Sequence, residues 1–143
     1  MTTGPWPGRP RVFLDSSAFY AALDARERKH PDARSLFEHL RALGAQLYTS
    51  NYVAAEAHAL ILRRVGRVVA LRFLSDLDRS ATTVIGALPA DEQRARAILR
   101  RYDDKDFSLT DAISFAIMER LGISQAFSFD SDFAQYGFDV LSP

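Results

Sequence analysis

The sequence predicts an α/β fold, a mainly parallel central sheet of four to five strands flanked by helices. Two observations carry this prediction. Short apolar runs at Arg11–Leu14, Gln46–Thr49, Thr82–Ile85, Gln125–Phe129 and Phe138–Leu141 read as strands, and the stretches between them repeat apolar residues at helical spacing. Strands that alternate with helices favour parallel pairing, because each crossover must return the chain to the same edge of the sheet. The 143 residues, 48% hydrophobic and 25% charged, suffice for one ordinary globular core. Residues 1–10 read as a flexible lead-in and 11–143 as one domain.

The elements follow in order. Arg11–Leu14 is short and apolar and runs into Asp15-Ser-Ser, a strand leading to a turn and a helix that continues through Ala18–Leu23. His30-Pro-Asp32 starts a second helix, with Pro31 at its first position. Leu36, Phe37, Leu40 and Leu43 follow at helical spacing, and Gly44 closes it. After the strand at Gln46–Thr49, Ser50-Asn51 caps a helix through Leu62. Gly66 separates this from a helix over Val68–Leu77, with Val69, Phe73, Leu74 and Leu77 on one face. Thr82–Ile85 is β-branched. Pro89-Ala-Asp-Glu92 opens the next helix with acids that suit the helix dipole. Beyond the polar loop Asp103–Asp106, Thr110 is the expected cap of a helix over Asp111–Leu121, apolar nearly all round and therefore buried, which Gly122 ends.

Bulk properties exclude several classes. No apolar stretch approaches the roughly 18–20 residues of a membrane span, and the start lacks a signal-peptide core, which is compatible with a cytoplasmic protein. The absence of cysteine removes disulfides, thiolate metal sites and cysteine nucleophiles together. Zero net charge argues against indiscriminate gripping of polyanions. Of 18 basic residues only Lys29 and Lys105 are lysine. Arginine suits bidentate phosphate or carboxylate contacts, and the same excess follows from a GC-rich genome.

The acidic residues are the informative feature. Asp15 ends the first strand, Glu56 lies within the apolar helix Tyr52–Leu62, Asp111 opens the buried helix, and Asp130 and Asp132 follow the fourth strand. Carboxylates are seldom buried without partners. Each has a plain structural reading: Asp15 as a helix cap, Asp111 as a dipole partner, Asp130 or Asp132 as turn residues, and Glu56 as an ion-pair partner of Arg63 or Arg64. In open α/β sheets, however, functional groups gather at the carboxyl ends of strands. Converging carboxylates raise one another's pKa unless a cation compensates, and oxygen-only ligands suit Mg²⁺ or Mn²⁺.

Four stretches, Val12-Phe-Leu-Asp15-Ser-Ser-Ala, the Glu56 helix after Thr49-Ser-Asn, Leu109-Thr-Asp111-Ala-Ile-Ser-Phe-Ala and Phe127-Ser-Phe-Asp130-Ser-Asp132-Phe, together resemble the PIN-domain ribonucleases. The similarity is greatest to the VapC-type toxins of bacterial toxin–antitoxin pairs, and it runs in order over roughly residues 11–142. It implies a three-layer PIN-like sandwich and a metal-dependent endoribonuclease holding one or two Mg²⁺ or Mn²⁺ ions. Asp15 and Asp111 match the most direct ligands, and Glu56 matches a ligand or an orienter of the attacking water. The fourth position falls on Asp130 or Asp132, and Ser17 matches a hydroxyl that bonds a carboxylate. The implied chemistry is in-line phosphodiester hydrolysis leaving 5′-phosphate and 3′-hydroxyl ends, without a histidine base: His30 and His39 read as surface residues and His58 as structural. An RNA substrate, a cognate antitoxin and a homodimer are the implied partners.

Arg26, Arg28 and Lys29, then Arg63, Arg64 and Arg67, and Arg100 and Arg101 are candidates for RNA or partner contacts. Tyr52 and Tyr102 are candidates for base stacking, against core packing. A response-regulator receiver would need an aspartate where Thr49-Ser50-Asn51 stands. A haloacid-dehalogenase-like phosphatase would need a second aspartate at Ser17. A non-catalytic PIN-like scaffold and a housekeeping RNA-processing nuclease remain as alternatives. The complete acidic set favours activity, and the small size favours the toxin.

Overall fold

The computed structural model describes residues 9–143, so the expected lead-in falls almost wholly outside the described residues. Strand β1 (Arg11–Leu14) is the middle of a five-stranded sheet ordered β3-β2-β1-β4-β5, with β2 (Gln46–Ser50), β3 (Thr83–Ile85), β4 (Gln125–Phe127) and β5 (Asp139–Val140). Every pairing is parallel, with Phe13 opposite Tyr48 on one side and Ala126 on the other. The helices are α1 (Ser16–Leu23), α2 (His30–Ala42), α3 (Asn51–Arg64), α4 (Arg67–Arg79), α5 (Pro89–Arg101), α6 (Leu109–Leu121) and α7 (Asp132–Tyr136). The chain builds outward from β1 to β3 and then returns to lay β4 against the other side of β1. That reversal opens a crevice at the carboxyl ends of β1 and β4, where α/β sheets commonly bind ligands.

The core explains why these elements hold. Val12, Phe13 and Leu14 are buried, as a strand flanked on both sides and covered on both faces requires. Phe115 of α6 packs on Phe133 of α7 at 5.1 Å between ring centroids, and Phe133 in turn reaches Phe13. Helix α6 is buried from Asp111 through Met118, in agreement with its sequence. Gly122 ends it at φ 70°, a left-handed conformation that glycine adopts without steric cost, and the Ile123 N–H then bonds back to the Met118 carbonyl at 2.9 Å.

Several boundaries differ from expectation, each for a physical reason. The cap of α6 is Ser108, not Thr110: the Asp111 N–H donates to Ser108 Oγ while the Ser108 N–H donates to Asp111 Oδ2, both at 3.0 Å. This reciprocal pair needs three-residue spacing, which Thr110 lacks. Helix α2 starts one residue earlier, so Pro31 takes its second position. The buried face of α4 is Ala70, Phe73 and Leu77, with Val69 and Leu74 half-buried beside it. Strand β4 stops at Phe127, and five residues from Asp132 form the unforeseen α7. A helix of that length carries too little periodicity to be read; one buried side chain, Phe133, anchors it.

Helices α5 and α6 are joined by a bidentate ion pair, Arg120 Nε and Nη2 to the two oxygens of Asp91 at 2.8 and 2.9 Å. Asp91 is 2% exposed and also accepts the Leu88 N–H at the start of α5. Asp91→Ala is expected to lower the unfolding free energy by about 2–4 kcal/mol, because it removes a helix-start bond and a bidentate ion pair to a buried carboxylate. Arg120→Ala should cost less, since Asp91 keeps its backbone donor. Denaturant titration of both variants checks the order.

Candidate active site

Five carboxylates from four separate segments meet at the crevice between β1 and β4. Asp15 occupies the N-cap position of α1 and is 1% exposed, yet its side chain makes no capping bond. It accepts instead from Ser17 Oγ at 2.9 Å and Ser128 Oγ at 2.8 Å, so it is not merely a helix cap. The Asp15 N–H continues the β1–β4 ladder by bonding to the Phe127 carbonyl at 3.0 Å. Ser17 Oγ also accepts the Phe129 N–H, and Ser128 Oγ accepts the Asp130 N–H. Two hydroxyls thus hold Asp15 and the loop carrying Asp130 in one unit.

Glu56 is half-buried on α3 and forms no ion pair with Arg63 or Arg64; it accepts from Ser16 Oγ at 2.5 Å. Asp111, 8% exposed, is held by the Ser108 N–H. Burial, and then the charges of Asp132 and Asp15, push the Asp111 carboxyl up to about 7 against the lowering effect of Ser108. The Asp130 carboxyl is pushed up to about 6 by partial desolvation and then by Asp15, Asp132 and Glu56. Asp130 is exposed as a residue, so water screens this repulsion and Asp111 bears more of the strain. The sequence left Asp130 and Asp132 as alternatives. Both belong to the cluster, since Asp132 acts on Asp111 and on Asp130, and Asp130 lies in the field of Asp15 and Glu56.

The donor set, all carboxylate and hydroxyl oxygen, fits a hard divalent cation chemically. Among the described residues, however, no group of three or more His, Cys, Asp or Glu side chains stands in position to hold a metal ion. The hydrogen bonds account for this: Glu56 is turned onto Ser16 and Asp111 onto Ser108, each towards a donor and not towards a shared centre. Size alone does not mark the site. An apolar cavity of about 540 Å³, lined by Phe19, Phe37, Leu47 and Phe73 among others, contains none of the five carboxylates.

The basic candidates fall in different places. Lys29 Nζ sits 5.9 Å from the centre of the Phe129 ring, beside Asp130, and Arg64 lies over Tyr20 at 5.5 Å. Arg26 is tied to Asp24, while Arg28, Arg63, Arg67, Arg100 and Arg101 are exposed. Tyr52 and Tyr102 are both half-buried against the core, Tyr102 packing on Phe107 and Tyr136. His30 is less superficial than expected, with Nδ1 2.8 Å from the Ala21 carbonyl; His39 is exposed and His58 half-buried. Sequence reasoning passed over Ser16, Ser108 and Ser128. Ser128 carried a usable signal, a serine between two phenylalanines at the end of a buried strand.

Comparison with known proteins adds to this geometry. The PIN-domain family model matches residues 12–139. The 23S rRNA-specific endonuclease VapC20 of Mycobacterium tuberculosis is 34% identical over 134 residues, covering 92% of this chain and 98% of the relative. Ribonuclease VapC26 of the same organism is 29% identical over 109 residues, 76% of this chain and 78% of the relative. The crystal structure of VapC20, described as a sarcin–ricin loop cleaving toxin, superposes with a TM-score of 0.87 at 31% identity, over 92% of this chain and 99% of that one.

The raised carboxyls have a consequence for the metal-free protein. A carboxyl whose folded pKa exceeds its unfolded value contributes stability below the unfolded pKa and loses it as pH rises through the folded one. For Asp111 that window runs from the ordinary aspartate value of 3.8 to about 7. Asp24, lowered to about 2 chiefly by the Tyr20 hydroxyl, acts oppositely and loses its contribution only as pH falls from its ordinary value through about 2. In EDTA the melting temperature is therefore expected to fall between about pH 4 and 7, and Asp111→Asn to flatten that fall. A wild-type profile that rises across this interval would contradict the crowded-carboxylate account.

Proposed function

The chain belongs to the PIN-domain family, and on that premise we propose that it is a metal-dependent endoribonuclease, the toxin of a VapBC-type toxin–antitoxin pair. The observation that carries the reading is the convergence of Asp15, Glu56, Asp111, Asp130 and Asp132 on the β1–β4 crevice, with Asp111 buried and its carboxyl raised. Such a cluster is costly unless a cation or a proton relieves it.

In this reading Asp15 and Asp111 hold one or two Mg²⁺ or Mn²⁺ ions, with Asp130 and Asp132 completing the acidic wall. Glu56, released from Ser16, serves as a ligand or orients the attacking water. Ser17 and Ser128 fix the Asp15 carboxylate, so that it meets its ligand from one direction. A bound divalent ion would supply acidity to a water molecule and stabilise charge on the phosphate and the leaving oxygen. Lys29, at the edge of the cluster, is suited to the substrate backbone. The specificity of the VapC20 relative makes a loop of 23S rRNA the first substrate to test. A cognate antitoxin would hold the toxin inactive in the cytoplasm. The exposed Leu62, Val68 and Leu71 are apolar side chains that support a homodimer.

Cleavage of 23S rRNA by the purified protein is expected in Mg²⁺ or Mn²⁺ and absent in EDTA. Asp15→Asn and Asp111→Asn should each reduce it about a hundredfold or more, the scale of losing one preorganised electrostatic group. Mapping the RNA ends tests the reaction itself, since 5′-phosphate termini are expected and 2′,3′-cyclic phosphate would contradict it. Ser128→Ala should act more gently, raising the Mg²⁺ concentration for half-maximal activity by about tenfold. Unaltered Mg²⁺ dependence in that variant would remove Ser128 from the account.

A further inference from the structure

We infer that a polar pocket at the far end of α1 seats an unstacked guanine of the RNA substrate. This rests on the ribonuclease reading and adds a base-specific contact to it. Helices α1 and α3 lie against each other from the acidic centre outward: Ser16 meets Glu56, then Arg64 covers the Tyr20 ring, then Arg26 Nη2 donates to the Arg64 carbonyl at 2.5 Å. Tyr20, Asp24, Arg26, Glu27 and Arg64 line an open, shallow hollow of about 370 Å³. At 1.5 Å per residue, Asp24 lies about 12 Å beyond Ser16 along α1, within reach of the same strand of RNA.

The chemistry of the walls selects the ligand. Asp24 is 4% exposed and saturated: it accepts from the Tyr20 hydroxyl at 2.5 Å, the Arg26 N–H at 3.0 Å and Arg26 Nε at 3.2 Å. Its charge is spent on pinning Arg26, whose Nη2 is in turn held by the Arg64 carbonyl. Arg64 and Glu27 line the same hollow, yet among the described residues they form no ion pair with each other. Two arginines against two carboxylates leave it neutral, which disfavours a phosphate and favours a neutral ligand carrying both donors and acceptors. Guanine alone among the bases presents two adjacent donors, N1–H and the exocyclic amine, to one carboxylate, with O6 and N7 beside them for a guanidinium. The Arg64 guanidinium, backed by Tyr20, offers a flat face on which such a base stacks.

The test measures binding of oligouridines carrying a single guanosine, inosine or adenosine, without divalent ions, to wild type, Glu27→Gln and Arg64→Lys. Wild type is expected to bind the guanosine oligomer about tenfold more tightly than the adenosine one, as a single bidentate base contact allows, with inosine between them. Glu27→Gln should abolish that preference without moving the melting temperature, and Arg64→Lys should weaken all three oligomers alike. Equal binding of guanosine and adenosine by wild type, or a preference that survives Glu27→Gln, overturns the inference; a purely protein-binding surface would give the first of these. Cleavage of 23S rRNA in Mg²⁺ keeps the two levels apart. Its absence would sink the ribonuclease reading, whereas cleavage indifferent to replacing nearby guanosines with inosine or adenosine would sink the guanine pocket alone.

Discussion

The parallel pairing of β1 with β4 is the constraint on which the rest depends. Residues distant in sequence, Asp15 and the Ser128–Asp130 loop, become neighbours because Leu14 lies opposite Phe127 and the Asp15 N–H extends the same ladder. Once those backbones are fixed, Ser17 and Ser128 need only their hydroxyls to bind the Asp15 carboxylate and the following loop together. A one-residue slip in this register would turn Phe13 and Asp15 to the opposite face of the sheet and disperse the cluster. The core packing of Phe13, Phe115 and Phe133 against such a slip therefore protects the active site as much as the fold.

The cluster is an arrangement that stability alone would not select. Helix α6 gains from Asp111 as the partner of Ser108, but the same residue is buried near two like charges. The favourable local bond and the unfavourable field act on one side chain, and the raised pKa reports that the field and burial prevail. Elsewhere the chain treats buried acids differently. Asp91 has Arg120 and Asp24 has Arg26 and Tyr20, and both carboxyls are held below their ordinary value. Two buried acids with basic partners beside two without, Asp15 and Asp111, is a contrast that points to function, since sequences can compensate such charges and among the described residues do so at two sites out of four.

Much of this was legible in the sequence because the signals were local. The five strands, the buried character of Asp111–Met118 and the helix stop at Gly122 follow from short apolar runs, unbroken hydrophobicity and one glycine. Likewise, each site carboxylate sits beside a strand end or inside an apolar helix, which any reader of the chain can see. The rest depends on contacts that spacing does not encode. Ser128 gains its role only through Asp15, across the sheet, and α7 exists because Phe133 finds a pocket between Phe13 and Phe115. Asp24 reads as an ordinary helix-end residue until Tyr20 and Arg26 are seen to close over it. Expecting Thr110 as the cap failed for a narrower reason: two hydroxyl residues stood near the helix start, and only Ser108 had an acid three positions on.

The α1–α3 pair unites the two ends of the site in one rigid frame. At one end Ser16 Oγ holds the Glu56 carboxylate beside the acidic cluster; at the other Tyr20 supports Arg64. The ends call for opposite electrostatics. A scissile phosphate needs concentrated charge that a cation can balance, whereas discrimination among bases needs a neutral pocket whose donors and acceptors are already turned outward. Placing both on the same two helices fixes the distance from base to bond. A loop RNA that seats its base at the far end thereby presents one phosphate, not its neighbours, to the carboxylates. Sequence selectivity then follows from a length, the separation along α1, as much as from any hydrogen bond.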